Sequence, residues 1–241
     1  MNFTIKSGWS ADIQRCFCIT LFACLISACT PHISPPAAIE YTQAPTDFPA
    51  AYYLQAETSG SNVLRIDALR SLVAITVRRG GALARLGHDH VVASHDLTGY
   101  VDITAGRADL YVPLERLSVD EPVLRAEAAL TTQPSADAIE GTRRNMLDRV
   151  LESERFPFAL IRVNRSPVDR SKLAVVITLH GTTHNFEIPA QIVTLSNGIE
   201  INGKMEFDQT DFGITPFSIL GGALQVEDRV GLRFRIFAVN S

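Results

Sequence analysis

Beyond residue 29 the chain contains no cysteine, since all four, Cys16, Cys18, Cys24 and Cys29, lie near its N-terminus. A domain built from the remainder has no disulfide framework, no thiolate metal site and no cysteine nucleophile. The one tryptophan, Trp9, falls in the same early segment. Long apolar runs are also missing: the stretch at residues 16–26 is too brief to cross a bilayer comfortably as a helix. There is no cationic stripe. With 22 Lys and Arg against 26 Asp and Glu, the formal net charge is −4 and the basic residues are scattered, which argues against a nucleic-acid partner. Hydrolase chemistry lacks its G-x-S-x-G elbow, and Asp211-Phe212-Gly213 stands without the glycine-rich loop or H-R-D of a kinase.

What is present at the N-terminus has the order of a targeting segment. Lys6 and Arg15 precede the apolar run, which ends in Leu25-Ile26-Ser27-Ala28-Cys29. That ending is similar to the lipobox of bacterial lipoproteins, so residues 1–28 are expected to be a signal peptide of lipoprotein type and Cys29 the lipid-attachment site. An ordinary cleaved signal peptide, leaving a soluble periplasmic or secreted protein, is the plainer alternative. Thr30 follows the cysteine in place of an aspartate, which favours the outer membrane, facing the periplasm. Residues 29–60 read as a tether, because Pro31, Pro35, Pro36, Pro45 and Pro49 keep the chain extended and little periodicity accompanies them.

Residues 61–241 carry the domain. Between Lys172 and Ile192 the side chains of Leu173, Val175, Ile177 and Leu179 alternate with polar or smaller neighbours, and after a turn at Gly181 the alternation resumes with Phe186, Ile188 and Ile192. These are two strands of a hairpin. Period-two patterns recur at residues 62–68, 72–78, 97–103, 108–114, 158–163 and 199–207, and from Arg229 to Ala238, where Val230, Leu232, Phe234 and Ile236 share a face. One segment differs. Ile139, Met146, Leu147, Val150 and Leu151 recur at helical spacing between Ala136 and Ser153. Roughly eight strands with one inserted amphipathic helix predict an all-β fold: an antiparallel barrel, with a two-sheet sandwich as second choice. A barrel of about eight strands is either filled by its own side chains or just wide enough for one small ligand.

Three segments, in order, resemble the YceI-like family of lipid-binding barrels. They are Thr142–Leu147 running through Leu151–Pro157, then Ile177–His184, then Phe207–Ile214 followed by Val226–Val230. The resemblance spans about residues 61–239. It implies a lipocalin-like barrel whose interior holds a polyisoprenoid or isoprenoid quinone, without catalysis and without a cofactor besides the bound lipid. The G-x-W that true lipocalins carry near their first strand is absent.

Val175, Ile177, Leu179, Phe186, Ile188, Leu232 and Phe234 are the expected cavity lining, where an isoprenoid tail gains about 0.8 kcal/mol per buried CH₂. His88, His90 and Arg143 are polar candidates at the barrel mouth, Arg143 for a headgroup phosphate, with a solvated helix face as the plainer role. A metal site using His88, His90, His95, His180 and His184 is the alternative reading, although the spacing matches no helical zinc motif and no metal is expected. An envelope interaction module with a filled barrel is a third. The expected partners are the lipid or quinone and a membrane reached through the lipidated N-terminus; whether a homodimer forms is left open.

Overall fold

The protein is described by a computed structural model over residues 44–169 and 171–240. The segment expected to be a signal peptide, the lipid-attachment site expected at Cys29 and the first part of the expected tether lie outside these residues. Chain order gives helix α1 (Ala50–Thr58), strands β1 (Val63–Ile66), β2 (Leu72–Val77), β3 (Arg79–Gly80), β4 (His90–Ser94), β5 (Thr98–Asp102), β6 (Arg107–Pro113) and β7 (Ser118–Val119), and helices α2 (Pro122–Glu127) and α3 (Ala136–Asn145). A single π turn, Met146–Val150, extends α3. Strands β8 (Phe158–Arg165), β9 (Lys172–Leu179), β10 (Thr182–Leu195), β11 (Gly198–Asp208), β12 (Ser218–Ile219), β13 (Leu224–Val226) and β14 (Arg229–Val239) complete the chain. No helix among the described residues is long and apolar enough to cross a membrane.

Eight strands close on themselves in the order β1-β5-β6-β8-β9-β10-β11-β14, antiparallel at every step, because β14 pairs with both β11 and β1. Closure removes the free edges that an open sheet of this apolarity would expose. The alternation legible in the sequence sets the register. Val163, Ile161 and Ala159 of β8 stand opposite Ala108, Leu110 and Val112 of β6, and all six point inward. Strand β14 is long enough to serve two partners. Its C-terminal half pairs with β1 and its N-terminal half with β2, which leads outward to β4 and β7. Where the ladder jumps from β1 to β2, the Phe237 N–H donates to the buried Ser71 hydroxyl at 3.0 Å instead of to a strand carbonyl.

The β9–β10 turn is tight. Leu179 pairs with Thr182, leaving His180 and Gly181 as a two-residue loop with φ of 51° and 74°, the left-handed pair that suits a right-twisted hairpin. A Cβ at Gly181 would stand 2.7 Å from the Phe156 ring, so close approach as well as φ requires glycine there. The expected helix is present as α3 with its π turn: Ser135 caps it by accepting from the Ala138 N–H at 3.2 Å, and Ile139, Met146 and Leu151 pack onto the core. Helix α2, which the sequence pattern did not announce, covers the outer face of β2 and β4 by placing Leu124 against Leu72, Ala74, Val91 and Ala93.

One expectation is corrected. Residues 50–60 do not belong to a tether, because α1 docks on the outer wall of β5 and β6. Tyr53 is 0% exposed, stacks on Tyr100 with ring centroids 5.1 Å apart, and donates its hydroxyl to Asp109 at 2.7 Å. Phe48 adds an edge contact with Tyr111 at 4.9 Å. The helix is held by aromatic rings and a tyrosine–carboxylate bond across more than fifty residues, a non-local cause that leaves no apolar stripe in the local sequence.

Candidate ligand cavity

The inward faces of the barrel do not meet. They enclose a cavity of about 420 Å³, within the usual range of ~300–1,000 Å³ for small-ligand sites. Six of the seven expected lining residues, Val175, Ile177, Leu179, Ile188, Leu232 and Phe234, bound it. Phe186 does not. It is in phase with Val175 but packs into the aromatic cluster of the barrel end, 6.1 Å from Phe212 and 6.3 Å from Phe207, ring to ring, with His184 at 4.9 Å.

The two ends of the cavity differ. At one, Phe207, Phe212, Ile214 and Val230 are buried, Phe212 entirely, and Val150 and Leu151 pack against them. The loop that delivers Phe212 and Ile214 is tied to the start of β14. The Thr210 hydroxyl donates to Asp228 at 2.6 Å, the Gln209 N–H to the Asp228 carbonyl at 3.0 Å, and Arg229 grips Asp208 through two hydrogen bonds of 2.8 and 3.0 Å. This end is closed. At the other end the lining includes Ile192, 51% exposed, together with exposed Thr194, Asn164 and Arg165, and the β5–β6, β8–β9 and β10–β11 turns surround it. That is the mouth.

The polar residues expected at the mouth lie at the closed end. His90 pairs in register with Val77, on the side of the barrel where Val230 sits, and its Nδ1 lies 2.6 Å from the fully buried Asp120 carboxylate. Arg125 binds the same carboxylate, and the Val91 N–H donates to it at 3.1 Å. Burial is the largest influence on Asp120 and pushes its pKa up, yet the bonds from His90, Val91 and Arg125 together outweigh it and hold the carboxyl below its ordinary value. His88 stands beside His90 with ring centroids 6.3 Å apart, its Nδ1 buried without a hydrogen-bond partner among the described residues. Arg143 neither faces a headgroup nor waves in solvent: its guanidinium donates to the carbonyls of Leu117 and Glu115, fastening α3 over the closed end. Among the described residues no group of three or more His, Cys, Asp or Glu is placed to hold a metal. His180 and His95 are dispersed, near Glu152 and Glu121 respectively.

A family model of the YceI-like domain matches residues 65–238. The chain belongs to the YceI-like family. The three sequence segments that carry the likeness turn out to be the closing helix, the tight β9–β10 turn and the plug at the closed end, and each also lends side chains to the cavity wall of this YceI-like barrel, among them Met146, Ile177, Leu179 and Phe212. Among solved structures the chain is similar to a polyisoprenoid-binding domain from Saccharophagus degradans implicated in plant cell wall breakdown, with 14% identity over 74% of this chain and 98% of that one and a TM-score of 0.54. It is also similar to BcnA of Burkholderia cenocepacia, with 11% identity over 72% and 99% of the two chains and a TM-score of 0.51. At these identities the likeness concerns the fold. No curated protein matches the chain.

Sequence reasoning missed Arg165. Extending the inward series Ala159, Ile161, Val163 by one more step reaches it, but the strand was expected to stop at Val163. The structure continues β8 through Arg165, which pairs with Leu173 and borders the cavity at its mouth.

Proposed function

We propose that this protein binds an amphiphilic isoprenoid lipid, a polyisoprenoid or isoprenoid quinone, inside the barrel, and stores or carries it at the cell envelope without catalysis. The observation that carries the reading is the continuous apolar cavity, closed at one end and open at the other, in a barrel whose inner wall is almost wholly aliphatic. A chain of isoprene units leaving water for that wall gains about 0.8 kcal/mol per CH₂ and needs no polar anchor along its length. The family and the similarity to the polyisoprenoid-binding domain from Saccharophagus degradans support the same ligand class. The lipobox-like sequence ending in Cys29 supports attachment to a membrane, the outer membrane facing the periplasm. Neither the dispersed histidines nor a filled interior gives the alternative readings comparable support.

Native mass spectrometry of the full chain purified from membranes tests this directly: a bound mass consistent with an isoprenoid lipid is expected. Protein that stays at its bare mass after incubation with a total lipid extract sinks the proposal. Ile177→Trp, which intrudes into the cavity, should reduce the bound mass while the chain remains folded, at a cost of about 1–3 kcal/mol for overpacking.

A further inference from the structure

Among the described residues the inward strand positions carry one arginine and no lysine or carboxylate. Reading the inward positions strand by strand, every residue in phase with the cavity is aliphatic, aromatic, small or a hydroxyl, apart from His90 and His184 near the closed end and Arg165 at the mouth. Asp102 and Arg107 also border the mouth, but they stand on the outward phase of β5 and β6. Both are engaged. Asp102 accepts from the Tyr52 hydroxyl at 3.1 Å and the Ala105 N–H at 2.9 Å, while Arg107 donates to Asp109 at 2.7 Å and lies over the Tyr52 ring at 4.6 Å. The guanidinium of Arg165 forms no ion pair or hydrogen bond with a described residue.

Its placement is built by the backbone. The Arg165 N–H donates to the Gly106 carbonyl at 3.1 Å, and the Arg165 stem lies across Gly106 so closely that a Cβ there would meet Cδ at 3.0 Å and Nε at 3.1 Å. Gly106 has φ of 66° and no side chain to displace the stem. The aliphatic part of the arginine is thus laid along the cavity rim with its charged end at the water boundary, where Asn164 and Thr194 also border the cavity.

We infer that Arg165 selects amphiphiles whose headgroup is an anion, a phosphate above all, seated at the mouth while the apolar chain fills the barrel. This rests on the lipid-cavity reading and narrows it: a neutral headgroup, such as an alcohol or a quinone ring, offers the guanidinium an acceptor but no balancing charge, whereas a phosphate accepts its paired N–H groups and neutralises it.

The test uses the full chain loaded with the apolar fluorophore N-phenyl-1-naphthylamine, displaced by farnesyl phosphate or by farnesol, a pair with the same chain and different heads. Farnesyl phosphate should displace the probe about tenfold more effectively, the size expected for one partly screened charge-assisted contact. Arg165→Gln should bring the two to within about twofold without changing farnesol, and Arg165→Lys should keep much of the preference. Equal displacement by the two ligands, or a preference that survives Arg165→Gln, overturns the inference and leaves the lipid cavity standing. Displacement by inorganic phosphate alone assigns the arginine to a free anion and also overturns it. If neither farnesyl compound displaces the probe, the cavity reading falls and the headgroup inference with it.

Discussion

At the closed end of the barrel, Phe207, Phe212, Ile214 and Val230 interlock beneath the π turn, and a buried carboxylate, Asp120, gathers His90, Arg125 and a backbone N–H around itself. At the mouth the same strands carry Ile192 half in solvent, and the neighbouring β8–β9 loop projects Val168 almost fully exposed. The contrast assigns work to each end. Stability is concentrated where side chains fill space and polar groups are paired, while the mouth gives up burial so that a long apolar molecule can pass. A barrel plugged at both ends would hold its core more firmly and admit nothing; one open at both would leave its β11–β14 corner without the loop that locks it.

Four experiments break or sharpen that contrast. The largest effect is expected from Phe212→Ala: emptying a fully buried aromatic position should cost about 3–5 kcal/mol in chemical denaturation. A loss under about 1 kcal/mol would mean the plug is not the structural end.

Asp120→Asn should cost about 3 kcal/mol, because Arg125 and His90 lose the charge they face in a buried site. It should also change the acid response. The folded carboxyl is held below its ordinary value, so folding favours the ionised form: that contribution is complete above about pH 3.9 and is lost as the pH falls through the lower folded value. Urea midpoints measured on wild type and variant from about pH 6 downward should converge in acid; parallel curves would contradict the assignment.

Tyr53→Phe removes one buried hydrogen bond to Asp109 but keeps the ring stack. The expected cost is about 1–2 kcal/mol, and hydrogen exchange should report α1 opening before the barrel. Protection of α1 unchanged from wild type would show that the rings alone hold it.

The smallest stability effect belongs to the mouth. Ile192→Ala should shift the unfolding free energy by less than about 0.5 kcal/mol yet speed release of a bound lipid, measured as the off-rate of the fluorophore. A stability loss comparable to that of Phe212→Ala would erase the distinction between the ends.

The hairpin centred on Lys172–Ile192 was legible because a strand shows its two faces in the order of its residues, and Val175, Ile177, Leu179 and Ile188 duly line the cavity. Phe186 obeys the same alternation, but an aromatic neighbour from a distant loop, Phe212, takes the space at the wall. His90 and Arg143 were placed at the wrong end because the strand pattern says which side of a sheet a residue occupies and nothing about which rim of the closed barrel it approaches. The partners that settle their roles, Asp120 for His90 and the Leu117 carbonyl for Arg143, lie 30 and 26 residues away.

The sequence by itself determined the long barrel strands, most of their inward residues, the inserted helix and the all-β class, since each of these rests on periodicity within one segment. Only the tertiary structure decided that the barrel is plugged at one end and open at the other, that α1 clasps the outer wall, and that Arg165 is the inward-phase charge at the rim. Those facts depend on which distant segments meet when the sheet closes, and contacts between residues far apart in the chain leave no local pattern to read.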